Sequence, residues 1–201
     1  MMSHCHELAD AKRALREEKI RWRSSLPVGE ARTKSERIAA NVKTLPEYAN
    51  AKTVLFYVSA KPNEVDTHSL IREALSSGVR VLVPVTDFER SELIISEIKD
   101  MRELAPARFG LLEPRRESCR PVDAGEADVV IVPGVAFDRS CRRIGFGGGY
   151  YDRLLAGAGF TTIALGYEGQ LVERVPTGSR DVPVDMVVTE SGIYRARKQE
   201  S

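Results

Sequence analysis

The chain reads as an α/β protein: a mostly parallel open sheet with helices on both faces, in three layers, α/β/α. Two stretches predict this. From Thr53 to Val85 a strand-like run, a helical run and a second strand-like run follow one another. Such a βαβ unit implies parallel strands joined by a right-handed crossover. Farther on, Val129 to Val132 is a continuous β-branched run of the kind that suits a strand covered on both faces.

In chain order, Leu8, Ala11, Leu15, Trp22 and Leu26 recur at helical spacing, and Pro27 closes the segment. Lys12, Arg13, Arg16, Lys19, Arg21 and Arg23 fill the other faces. As a rule such a charge run is a solvated face. Lys12 and Arg16 stand apart, because i, i+4 spacing puts both heads on one side of the helix. A second helix is predicted from Glu30 to Leu45, ended by Pro46, with Ile38, Val42 and Leu45 as its buried stripe. Thr53 to Val58 is the first strand. Asp66 is suited to cap a helix over Thr67 to Ser77, Gly78 ends that helix, and Arg80 to Val85 is the second strand. Glu92 to Ile98 predicts a strand nearer the sheet edge. Pro106, Pro114 and Pro121, with Arg115, Arg116 and Glu117, mark an exposed connection. Tyr150 to Leu155 starts a helix, Thr161 to Gly166 is a strand, and Met186 to Thr189 completes the sheet.

Composition excludes several classes. At 201 residues the chain suits one domain, 1–201, with an ordered core over about 7–195. A hydrophobic content of 42% and a charged content of 29% are ordinary for a globular protein. The formal charge of +1 gives no global attraction to nucleic acid or to an acidic membrane, so any basic site is local. No apolar run reaches membrane-spanning length, and the first residues lack a signal peptide's apolar segment. Three scattered cysteines, Cys5, Cys119 and Cys141, argue against a disulfide framework and for a reducing cytoplasm. A cytoplasmic monomer that engages neither nucleic acid nor membrane is expected. His4, Cys5 and His6 could ligate a metal, but a frayed terminus is the simpler reading. Cys141 lacks a neighbouring base and reads as a small loop residue rather than a nucleophile.

The chemistry concentrates after the Val129–Val132 run. Gly145, Gly147, Gly148 and Gly149 stand between a strand and a helix start. Residues without Cβ let backbone N–H groups approach an anion, and a helix N-terminus adds partial positive charge. A dinucleotide fingerprint is excluded because its last glycine would fall on Tyr150, and a Walker loop because no Gly-Lys-Ser/Thr follows. Two readings stay open, a phosphate cradle and a glycine-rich structural turn. Arg142 and Arg143 before the loop, and Asp152 after it, favour the cradle, the carboxylate being able to hold a divalent cation against phosphates.

Val132-Pro133-Gly134-Val135-Ala136-Phe137-Asp138, followed by Arg143-Ile144-Gly145-Phe146-Gly147-Gly148-Gly149-Tyr150-Tyr151-Asp152-Arg153, resembles the signature of the 5-formyltetrahydrofolate cyclo-ligases. That pattern is close to Arg-Leu-Gly-x-Gly-x-Gly-Tyr-Tyr-Asp, and only Ile144 departs from it. Lys12-Arg13-Ala14-Leu15-Arg16, Glu64-Val65-Asp66-Thr67, Phe109-Gly110-Leu111-Leu112-Glu113-Pro114 and the run from Gln170 through Pro176 to Asp181 and Asp185 resemble further blocks of that family in the same order.

The resemblance implies ATP- and Mg2+-dependent cyclisation of 5-formyltetrahydrofolate to 5,10-methenyltetrahydrofolate, with ADP and phosphate released. It implies that Lys12, Arg13, Arg16, Arg143, Ile144, Gly145, Phe146, Gly147, Gly148, Gly149, Tyr150 and Tyr151 bind ATP. The folate would fall to Glu64, Phe146, Gly147, Gly148, Gly149 and Tyr150, magnesium to Asp152 and Asp181, and the chemical step to Arg143, Tyr150 and Asp152. Without the resemblance, Glu64 is a solvated loop carboxylate and Asp181 a turn residue bonded to local amides. Asp152→Ala and Arg143→Ala are expected to lose turnover in a folded chain. Two rivals are a non-catalytic nucleotide- or folate-binding protein and a sugar-phosphate isomerase. The second needs a carboxylate or histidine base, and His68, the one histidine outside the N-terminus, is expected on a solvated helix face.

Overall fold

The computed structural model describes residues 2–157 and 159–197, and no side chain before residue 6. His4 and Cys5 of the considered metal set therefore lie outside the described side chains. The elements run α1 (Met2–Ser25), α2 (Val28–Lys43), α3 (Pro46–Ala49), β1 (Thr53–Leu55), α4 (His68–Ser76), β2 (Arg80–Asp87), β3 (Glu92–Ile98), β4 (Leu104–Pro106) and β5 (Leu112–Pro114). They continue with β6 (Pro121–Val122), β7 (Val129–Val132), β8 (Ala136–Asp138), β9 (Arg143–Ile144), α5 (Tyr150–Leu155), β10 (Thr161–Leu165), β11 (Leu171–Val172), β12 (Met186–Val188) and β13 (Ile193–Arg195). Among the described residues no helix is long and apolar enough to cross a membrane.

The main sheet has eight strands in the order β13-β12-β10-β7-β1-β2-β3-β6. From β12 to β2 neighbouring strands are parallel; β13, β3 and β6 join antiparallel at the two margins. Successive side chains of a strand point to opposite faces. Val54, Val81, Val129, Ile131 and Ile163 accordingly meet Ile38 and Val42 of α2 and Leu70 and Ile71 of α4. Leu55, Leu82, Val130, Val132 and Ala164 meet Phe137, Cys141 and Leu155 on the other side. The second covering layer is thus only partly helical. Six-residue α5 shares it with a three-stranded sheet ordered β11-β8-β9.

Several boundaries differ from expectation for identifiable reasons. β1 stops at Leu55, although Phe56, Tyr57 and Val58 remain buried, because the chain turns there into the loop that carries Glu64. β2 runs on to Asp87 because it forms a hairpin with β3, Asp87 pairing with Glu92. α2 ends at Lys43, and Pro46 opens α3 rather than merely stopping α2, since a proline costs no hydrogen bond at a first helical position. α4 begins at His68 with Thr67 as its cap residue; Asp66 accepts from the His68 amide at 3.3 Å. The polar connection from Arg139 to Arg142 closes a hairpin between β8 and β9, with Cys141 at φ 62°. β13 is an edge strand with only Tyr194 half-buried, a pattern that carries no alternating apolar signal.

Candidate active site

Parallel strands open their ligand crevice at their carboxyl ends. Here the segment after β1 carries Glu64, and the segment after β7 carries the β8–β9 hairpin and the glycine stretch. α1 closes the space from outside. Of the expected apolar stripe, Leu8, Leu15, Trp22 and Leu26 are half-buried and Ala11 is exposed. Lys12, Arg16, Lys19 and Arg23 share the inward side with them. Lys12 Nζ reaches Asp181 Oδ1 at 2.6 Å, Arg16 Nε donates to Gly145 O at 2.9 Å, and Lys19 Nζ donates to Gly169 O at 3.2 Å. Arg23, expected on a solvated face, is only 3% exposed. Arg13 corrects a second expectation: it lies on the outer face, 67% exposed at its side chain, with Nη2 on Asp10 Oδ1 at 2.7 Å. The helix face that meets the glycine stretch does not include it.

The glycine stretch is shaped by its neighbours. Gly147 sits at φ 107° and Gly149 at φ 68°, conformations that side chains with a Cβ rarely take. A Cβ on Gly148 would lie 2.6 Å from the Tyr150 ring, so that glycine is needed for room rather than for φ. The carbonyls of Gly145 and Gly148 accept from Arg16 and Arg153. No backbone hydrogen bond among the described residues uses the amides of Phe146, Gly147 or Gly148 as donors. The stretch therefore turns carbonyls toward guanidinium groups and leaves these exposed amides without a backbone acceptor among the described residues. Phe146 is exposed at its tip, Ile144 is buried in β9, and Tyr150 packs its ring against the Arg153 guanidinium at 5.1 Å.

Arg143 lies beneath. Its side chain is 1% exposed, Nη2 donates to Asp152 Oδ1 at 3.0 Å, and Nε has no partner. Burial pulls its pKa down, against the opposing charge of Asp152. Asp152 Oδ1 also accepts from the Val182 amide at 3.2 Å, while Oδ2 has no protein donor among the described residues. A free carboxylate oxygen fits magnesium, which takes one or two protein carboxylates beside phosphates and water. Asp181 is more committed, because Lys12 and the Gly178 amide both bond it. Arg142, Arg143, Gly178 and Asp181 line a cavity of about 200 Å³.

Glu64 is half-buried rather than solvated, and among the described residues it makes no ion pair. One carboxylate oxygen accepts from the amides of Ala60 and Lys61 at 3.0 and 3.2 Å. Burial raises its pKa above the usual glutamate value, opposed by those amides and by the Arg23 charge. Tyr151 brings the halves of the site together. Its hydroxyl is shielded from solvent without a partner, and its pKa is raised first by burial and then by the Glu64 charge, with Arg143 opposing. Of the two tyrosines, Tyr151 is the inner one and contributes to both cores.

Two other groups hold structural roles. His68 is half-buried rather than solvated, its Nε2 bonded to Ser59 O at 2.8 Å. Cys141 is buried, bonds Tyr194 O, and has its thiol pushed up to about 11 by burial, which leaves it unreactive. Sequence reasoning missed Arg23 and the half-buried, amide-bonded state of Glu64. The regular spacing of Lys12, Arg16, Lys19 and Arg23 along one helix face was the available signal.

Residues 8–190 match the model of the 5-formyltetrahydrofolate cyclo-ligase family. The 5-formyltetrahydrofolate cyclo-ligase of Escherichia coli K12 is 34% identical over 163 residues, covering 79% of this chain and 89% of its own. The solution structure of the 5,10-methenyltetrahydrofolate synthetase of Aquifex aeolicus superposes with a TM-score of 0.82 at 35% identity, covering 94% of this chain and 95% of its own. The synthetase of Mycoplasma pneumoniae, at 21% identity and a TM-score of 0.71 over 89% and 98% of the two chains, shares the fold.

Proposed function

Given that the chain belongs to the 5-formyltetrahydrofolate cyclo-ligase family, we propose that it converts 5-formyltetrahydrofolate to 5,10-methenyltetrahydrofolate at the expense of ATP, with magnesium. The observation that carries this reading is the meeting of an amide-presenting glycine stretch with the pair of buried Arg143 and half-buried Asp152, near the half-buried Glu64 carboxylate.

The formyl carbon of a formamide is a poor electrophile and oxide a poor leaving group. Transfer of the γ-phosphoryl of ATP to the formyl oxygen, releasing ADP, makes that oxygen part of a phosphate leaving group. Attack by the second folate nitrogen on the formyl carbon then closes the ring; that nitrogen gives up its proton to the departing phosphate or solvent, and phosphate leaves carrying the original oxygen. No protein nucleophile is required. What is required is alignment, charge neutralisation and exclusion of water.

The amides of Phe146, Gly147 and Gly148 are suited to hold phosphate oxygens, and Arg143 to offset their charge through the Nε and Nη groups that Asp152 leaves free. Lys12 exchanging Asp181 for phosphate would free that carboxylate, so one movement would supply both a cation and an anion to the nucleotide end. Asp152 and Asp181 would hold magnesium, which when bound neutralises phosphate charge and fixes phosphate orientation. Glu64 is suited to accept from the pterin, and Tyr150 to cover the ligand with its ring.

Mixing the protein with 5-formyltetrahydrofolate and magnesium, then adding ATP, should produce methenyl absorbance together with one equivalent of phosphate. Binding without phosphate release would mark a carrier or sensor instead, and absence of both would refute the reading.

A further inference from the structure

A buried guanidinium without a carboxylate partner needs explanation, because an unpaired buried charge is costly. Arg23 is 3% exposed, its Nε has no partner, and among the described residues no ion pair includes it. Its Cζ lies over the Phe146 ring at 5.5 Å, so it faces the glycine stretch. The neighbouring backbone is strapped to the Glu64 loop: Asn63 Nδ2 donates to Arg23 O at 3.0 Å and to Leu26 O at 2.7 Å. That strap sets Arg23 beside the Glu64 loop, and its charge opposes the upward pKa shifts of Glu64, Tyr57 and Tyr167. Arg23 follows Lys12 by eleven helical residues, about 16 Å at 1.5 Å per residue. α1 thus carries two inward cations about three turns apart, and the second, Arg23, stands between Phe146 and the Glu64 loop.

We propose that Arg23 is a second substrate-binding residue, one that reads the 4-oxo group of the pterin while Glu64 reads the neighbouring ring N–H and 2-amino group. The assignment rests on the folate reading of the site given above. A 2-amino-4-oxo pyrimidine edge presents two donors and then one acceptor. Glu64 supplies acceptors and Arg23 supplies donors from adjacent positions, so the pair is complementary to that edge in order as well as in charge. The 4-oxo group also lies beside the nitrogen that bears the formyl group, so Arg23 would fix the face of the substrate closest to the reaction. Phe146 under the guanidinium helps to hold the planar fork in place.

The test uses the full chain and two probes, a reduced 2-amino-4-oxo pteridine and its 2,4-diamino counterpart, which replaces the acceptor by a donor. Wild type should bind the oxo compound at least tenfold more tightly, and Arg23→Met should lose that preference while unfolding at a similar temperature. In turnover, KM for 5-formyltetrahydrofolate should rise about tenfold to a hundredfold, the range expected for a lost hydrogen bond from a charged group, with KM for ATP within about twofold of wild type. Should Arg23→Met not fold, Arg23→Lys, which keeps charge but loses the fork, should show an intermediate preference. An unchanged oxo preference in a folded variant, no preference in wild type, or equal rises in both KM values would overturn the proposal. A wild type that discriminates the probes yet forms no methenyl product would leave Arg23 supported and remove the proposed reaction instead.

Discussion

Arg143 and Asp152 are 3.0 Å apart but unequally buried, the arginine side chain being 1% exposed and the aspartate 24%. Removing one partner of a buried pair costs about 3–5 kcal/mol when the charge left behind cannot be solvated. Asp152→Ala strands the buried guanidinium, whereas Arg143→Met leaves a carboxylate that water and the Val182 amide still reach. Asp152→Ala should therefore destabilise more than Arg143→Met, which refines the sequence-based expectation that Asp152→Ala and Arg143→Ala lose turnover in a folded chain. Both should lose on the order of 10²-fold in turnover. Denaturant unfolding beside kcat measurement checks this, and equal stability of the two variants would contradict the asymmetry.

Lys12 and Asp181 form a bridge across the chain between α1 and the segment before β12, each side chain about 20% exposed. Partly exposed pairs of this kind contribute roughly 0–1 kcal/mol. Lys12→Met should leave the melting temperature within a few degrees of wild type while raising KM for ATP about tenfold and leaving KM for the folate alone. A titration with each substrate in turn decides the point; a matching rise for the folate would show that Lys12 serves the whole cleft.

Gly147, at φ 107°, should not tolerate a side chain. Gly147→Ala forces a strained backbone worth on the order of 1–3 kcal/mol and would realign the amides on both sides. Gly192 has an ordinary φ and open space around its Cβ position, so Gly192→Ala is the matched control. ATP binding by calorimetry should weaken at least tenfold in the first and stay unchanged in the second.

The parts of the site that could be read from sequence are those in which chemistry and chain order coincide. Arg143, the glycines and Asp152 fall within ten consecutive positions, and β7 declares itself by an uninterrupted β-branched run. α1 could not be read the same way. Periodicity assigns the buried face of a helix to its apolar residues, yet this helix borders a polar cleft, and Lys12, Lys19 and Arg23 point inward while Ala11 points out. The β8–β9 hairpin was hidden because its turn, Arg139 to Arg142, is polar and short and its left-handed residue is Cys141 rather than glycine. The surroundings of Glu64 draw charge interactions from Tyr57, Arg23 and Tyr151, three separate segments, so no local pattern announces them.

Glu64 couples function to stability in opposite directions. Burial raises its carboxyl pKa above the ordinary 4.5, so the folded chain binds this proton more tightly than the unfolded chain does. Stability therefore falls as pH rises from 4.5 through the folded value, and the ionised form is the less favourable one for folding. Glu64→Gln keeps an oxygen for the Ala60 and Lys61 amides while removing the charge. The variant should melt higher than wild type at pH 7, with the difference shrinking as pH is lowered toward 4.5. KM for 5-formyltetrahydrofolate should rise at least tenfold at pH 7, because an amide offers one acceptor where the carboxylate offers two. Melting curves of both proteins between pH 4.5 and 8 measure the effect, and a variant less stable than wild type throughout would show that the Glu64 charge supports the fold.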